Sequence, residues 1–132
     1  MERKFLLVLI GTWLLFIILA IINAVIRNEG YKPIIGDLRA HQLSTIIFII
    51  LILTATYLVL RFSNLQLTDK DALLMGLIWV LLTIIFEFVA GHYVFGNSWE
   101  KLIADYNILK GRIWSLVLLT TFISPYITNK FL

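Results

Sequence analysis

Cysteine is absent from the 132-residue chain. That excludes disulfides, thiolate metal sites and cysteine nucleophiles, and it leaves the redox compartment unread. Charge is scarce. Asp, Glu, Lys and Arg make up 14% of the sequence, against about a quarter in a soluble domain. There is no internal repeat, low-complexity tract or linker, and the length suits one domain over residues 1–132. No nucleophile motif, phosphate loop or zincin spacing appears, which weakens an enzymatic reading. The formal charge of +3 is mild and no basic run forms a patch, so nucleic acid is not an expected partner and no cofactor is implied. What is present is apolar, at 61% of the residues. A domain this small cannot hide so much apolar surface from water, so the lipid bilayer is the expected solvent and partner.

Hydropathy predicts an all-α chain with four transmembrane helices. Residues 5–26 form an uncharged run long enough to cross a hydrocarbon core of about 30 Å. Arg3 and Lys4 precede it as in a signal peptide, but the run is too long for one and no small-x-small cleavage site follows. Residues 43–60, 72–95 and 113–128 are the further spans, the last carrying Pro125 near its end, where a lost hydrogen bond costs least.

The connections differ in character. The first, 27–36, holds Gly30, Pro33 and Gly36 and is expected to be irregular, with Asp37 capping the second helix. In the second, Thr68 and Asp71 stand at the spacing of a helix cap. In the third, Asn97 and Glu100 stand at capping-box spacing, and Trp99, Leu102, Ile103, Tyr106 and Leu109 recur at helical intervals opposite Lys101 and Asp105, with Gly111 as a stop. That pattern predicts a short amphipathic helix over 98–110, lying in the membrane interface with Trp99 and Tyr106 as anchors. The alternative is a plain helical extension of the fourth span.

Orientation is weakly marked. Arg3, Lys4, Arg61, Lys70 and Lys130 fall on one side of the membrane; Arg27, Lys32, Arg39, Lys101, Lys110 and Arg112 fall on the other. The first helix often dominates, and its basic N-terminal pair favours both termini in the cytoplasm. So even a balance also permits an antiparallel dimer.

Polar chemistry gathers on the side of the first and third connections. Asn23, Asp37, Arg39, His41, Glu87, His92, Asp105, Tyr106, Asn107 and Arg112 all lie there, and the opposite side is expected to hold only caps and flanking charges. At 100° per residue Asp37, His41, Ser44, Phe48, Leu51 and Ala55 share one stripe. Gly76, Val80, Thr83, Glu87, Ala90 and Gly91 share another, and Thr12, Phe16, Leu19 and Asn23 a third. Such stripes mark helix–helix contact in membranes and point Asn23, His41 and Glu87 inward. His92 would face about 140° away from Glu87 unless Gly91 bends the chain.

Glu87 is the leading candidate, because a carboxylate within a span is costly and is usually functional or paired. It carries a proton or cation, or it forms a structural ion pair with Arg39 or Arg112. Those two arginines hold an anionic ligand such as a lipid phosphate, or they snorkel and pair. His41 and His92 lack the tight spacing of a metal site, so no metal is assigned. Trp13, Trp79, Trp99 and Trp114 read as belt or packing residues, and Asn23 as a helix–helix hydrogen bond.

Phe86-Glu87-Phe88, Gly91, Ser98-Trp99-Glu100-Lys101-Leu102, Ala104-Asp105-Tyr106-Asn107 and Gly111 form a pattern over the second half of the chain. It resembles that of a group of small bacterial four-helix integral membrane proteins to which no activity is attached. The resemblance implies a multi-pass protein of the bacterial inner membrane and adds weight to Glu87 and Trp99. It implies nothing about a substrate, and His92 is outside the pattern.

Three functions compete. The first is binding or transport of a small ligand or ion through a polar site near one membrane face, which for so small a bundle needs a homo-oligomer. The second is a non-catalytic accessory or assembly subunit of a larger membrane complex. The third is a membrane enzyme acting on a lipid or lipid-linked group, with Glu87, His41 or Asp105 as acid–base groups.

Overall fold

The computed structural model describes residues 3–104 and 114–132, and among these there is no strand. Asp105, Tyr106, Asn107 and Arg112, with the far end of the expected interfacial helix and the start of the expected fourth span, lie outside the described residues. Helix α1 spans Arg3–Ile26, α2 Lys32–Ile35, α3 Asp37–Ser63, α4 Asp69–Tyr93, α5 Trp99–Ala104 and α6 Ser115–Lys130. Three stretches are long and apolar enough to cross a membrane: the rod Arg3–Ile35, α3 and α4. The 27 residues of α3 extend roughly 40 Å at the rise of an α-helix, longer than a hydrocarbon core of about 30 Å.

The first connection corrects the expectation of an irregular loop. A π-helical turn over Arg27–Tyr31 carries α1 directly into α2. Pro33 falls in the first turn of α2, where its missing N–H costs nothing. The break comes only at Gly36, whose φ of 91° suits glycine. Gly36 therefore holds the cap position of α3, and no side chain caps that helix. Asp37 instead stands in the first turn, where its charge meets the positive end of the helix dipole, 3.4 Å from Lys32.

The other two caps divide. Thr68 Oγ1 accepts the backbone N–H of Asp71 at 3.1 Å, as its spacing predicts. In the third connection the cap of α5 is Ser98, not Asn97: Ser98 Oγ accepts the N–H of Lys101 at 3.1 Å. Asn97 belongs to the end of α4, since its backbone N–H turns back to the Gly91 carbonyl at 2.9 Å.

Helices α3 and α4 both pack along α6; α1 packs on α3 and touches α4 more lightly. Phe16, Phe48, Ile52, Met75, Trp79 and Val117 form the interior, with the Phe16 and Trp79 rings edge to face at 4.9 Å. Polar bonds tie the helices where lipid offers no competitor. Trp79 Nε1 donates to the Leu9 carbonyl at 2.9 Å and Trp13 Nε1 to Thr83 Oγ1 at 3.1 Å, joining α4 to α1. Thr56 Oγ1 donates to Ser124 Oγ at 3.3 Å between α3 and α6. Backbones come closest where Gly76 meets Phe122: a Cβ at Gly76 would lie 1.9 Å from the Phe122 carbonyl oxygen.

The stripe on α1 is buried at Thr12, Phe16 and Asn23. On α3 the buried row runs Ser44, Phe48, Ile52, Thr56 and Leu60, and Leu51 and Ala55 are only half-buried. Steps of four follow the ridge that packs into a neighbouring helix groove. A strip drawn parallel to the helix axis drifts off that ridge, which is why its far end misses.

Candidate functional site

The start of α3, the end of α4 and the start of α6 meet at one end of the bundle. Glu87, half-buried on α4, accepts a short hydrogen bond of 2.6 Å from Trp114 Nε1. The Trp114 ring stacks parallel to Phe48 with centroids 6.0 Å apart. Its other neighbour on α3 is His41, at 6.1 Å and steeply inclined. Trp114 thus bridges the carboxylate of α4 to the aromatic face of α3.

A second set of bonds extends this patch to α1. Asn23, buried at 8% exposure, donates through Nδ2 to the Ser44 carbonyl at 3.0 Å and to Ser44 Oγ at 2.8 Å. Arg27, on the π-helical turn, donates from Nη1 to the same Ser44 Oγ at 3.3 Å. Ser44 shares its helix face with His41 and Phe48, so the polar groups of α1 and the Glu87–Trp114 pair flank one side of α3. Among the described residues no group of three His, Asp or Glu side chains gathers as a metal cluster would.

The other expected residues are placed apart. Asp37 and Arg39 are exposed at the head of α3, and Arg39 has no polar partner among the described residues. Helix α4 runs unbroken through Gly91, so His92 turns away from Glu87, as its spacing requires. There it stacks on Trp99 with centroids 3.8 Å apart and planes 13° from parallel. Its Nδ1 sits 2.9 Å from the Asn97 carbonyl, a distance that calls for the tautomer with the proton on Nδ1. Trp99 is 43% exposed. Asp105, Tyr106 and Arg112 are outside the described residues.

Sequence reasoning passed over two participants. Arg27 was legible, since its spacing of four from Asn23 puts both on one helix face. Trp114 carries no such signal, because belt and site tryptophans look alike in a hydropathy profile.

The opposite end departs from the expectation of caps and flanking charges alone. Lys130 Nζ lies 2.8 Å from an Asp69 carboxylate oxygen, and this hydrogen-bonded partner holds the ammonium above its ordinary value of 10.5. At the same end a half-open cavity of about 390 Å³ sits in the corner formed by the end of α3, the connection that follows it and the end of α6.

Comparison with known proteins finds no matching family model, no matching curated protein and no matching solved structure.

Proposed function

We propose that the chain is a four-span protein of the bacterial inner membrane that binds a proton or small cation at Glu87 and passes it toward one membrane face. The observation that carries this reading is the half-buried Glu87 carboxylate within α4, held by Trp114 Nε1 at 2.6 Å. A carboxylate kept at membrane depth costs stability, and such residues commonly mark ion or proton pathways. Helix α6, from Ser115 to Lys130, is apolar on the faces not packed against α3 and α4 and supports a fourth crossing. Trp99 and Ile103 are exposed on α5, which fits a helix lying in the interface. Both termini then lie in the cytoplasm. One such bundle encloses little space, so a complete path needs a second copy or a larger complex.

The test is Glu87→Gln in full-length protein reconstituted into liposomes, with an entrapped pH dye and imposed proton, sodium or potassium gradients. Gln keeps an oxygen to accept from Trp114 and removes only the titration. The expected outcome is loss of flux, with a melting temperature within about 4 °C of the parent. Undiminished flux in the variant would overturn the proposal. A large drop in melting temperature would instead make Glu87 a structural partner of Trp114.

A further inference from the structure

We infer that the corner formed by the end of α3, the connection that follows it and the end of α6, at the end of the bundle away from Glu87, is a second binding site, for a phosphate or phosphate-ester oxyanion. The cavity there, about 390 Å³, is walled by Arg61, Asn64 and Gln66 from one segment and Asn129 from the end of α6. Its lining holds no Asp or Glu side chain, although Leu132, the last residue of the sequence, is part of it. Arg61 donates only to Tyr57 Oη, at 3.3 Å, and no carboxylate pairs with it among the described residues. A guanidinium presents five N–H donors in a planar fork matched to phosphate. Most of that fork is uncommitted.

The backbone supplies a second, independent feature. Ser63 ends α3 in right-handed conformation and Asn64 follows in the left-handed one, at φ 56° and ψ 30°. A left-handed residue in that place ends the helix. Among the described residues no protein acceptor takes the N–H of Leu65, Gln66 or Leu67. Such donors are open to a ligand or to solvent.

The corner is also held in place before any ligand arrives. Leu65 is buried, anchoring the middle of the connection. Asn129 Nδ2 donates to the Leu67 carbonyl at 3.0 Å, tying the connection to α6 and leaving Asn129 Oδ1 without a donor. Asp69, the nearest acidic residue along the chain, is occupied by Lys130. The site therefore combines a cation, side-chain amides and unpaired backbone donors on a fixed frame, which is what recognition of a small oxyanion requires. The same chemistry is offered by a phospholipid headgroup and by soluble phosphate.

Two arms separate these sources, both with the full chain. In the first, inorganic phosphate is titrated calorimetrically into protein in phosphatidylcholine nanodiscs at constant ionic strength. In the second, protein from mixed phosphatidylcholine–phosphatidylglycerol vesicles is purified in detergent and its retained phosphatidylglycerol is measured. At least one arm is expected to show saturable binding. Arg61→Gln, at an exposed position, is expected to weaken it at least about tenfold, as loss of a charge-assisted bond implies. Gln66→Ala removes an amide from the same wall without changing charge and is expected to weaken it about threefold or more. Lys101→Gln, at the other end, changes charge equally and is expected to shift it less than about twofold. Absence of binding in both arms overturns the inference. So does equal weakening by Arg61→Gln and Lys101→Gln, which would make the attraction one of overall charge.

Discussion

Gly76 and Gly11 look interchangeable in the sequence, each a glycine within an apolar helical run, and the packing makes them opposites. At Gly76 the Phe122 carbonyl leaves no room for a Cβ, and at Gly11 nothing lies within 4 Å. Gly76→Ala forces α4 and α6 apart and is expected to cost about 1–3 kcal/mol. Gly11→Ala only relieves the entropy cost of glycine within a helix and is expected to stabilise by about 0.5–1 kcal/mol. Thermal melts of both variants in one detergent check the pair, and loss of the sign difference would contradict the close approach. The same contrast shows what a sequence discloses about a single residue. Glu87 stands out because a charge inside an apolar run is conspicuous whatever surrounds it. Trp114 does not, because its partner lies 27 positions away and nothing local reports that separation. The α5 cap moved from Asn97 to Ser98 for a related reason: which of two adjacent polar residues turns its side chain inward is decided by how α4 ends.

Elements are where the sequence reads best. The three long apolar helices follow from run length alone, and the Thr68 cap from spacing. The first connection was misread because glycine and proline were weighed as breakers without regard to position. Within α6, Pro125 shows how position matters. It cannot donate to the Thr121 carbonyl four residues back, and Ser124 Oγ donates there instead at 3.2 Å. The same Ser124 Oγ accepts from Thr56. Ser124→Ala is therefore expected to strand two buried polar groups and cost about 1–3 kcal/mol. Thr120→Ala, which removes only an exposed hydroxyl bonded to the Leu116 carbonyl, is expected to stay within about 0.5 kcal/mol. Melting temperatures of the two variants give the comparison, and equal effects would mean that Ser124 is not what compensates the proline.

Across the whole molecule, the two ends carry different chemistry, and only one was legible. The Glu87 end announces itself through polar residues clustered near span boundaries. The cavity at the other end draws Arg61, Asn64 and Gln66 from one stretch and Asn129 from another, and no periodicity brings these together. That end is also clasped by Lys130 and Asp69, which join the last turn of α6 to the first turn of α4. The lysine is held above 10.5, so its contribution to stability is fully present below that value and is lost as pH rises through the raised one. The difference in melting temperature between the parent and Asp69→Asn is expected to be small, since the pair is exposed. It should also be constant from neutral pH up to about 10 and vanish only at higher alkalinity. A difference that fades toward pH 7 would contradict the assignment.

The bonds from Trp79 to Leu9 and from Trp13 to Thr83 each join residues 70 positions apart. Read as a timetable of synthesis, they mean that the first helix to leave the ribosome waits several seconds, at about 5–20 residues per second, before its polar partners exist. Until then the Trp13 indole N–H has no Thr83 to meet, and the helix must be shielded by the insertion machinery or by interim contacts. The seam between α1 and α4 is thus a late event in the life of the nascent chain, set by the arrival of α4 and not by the insertion of α1.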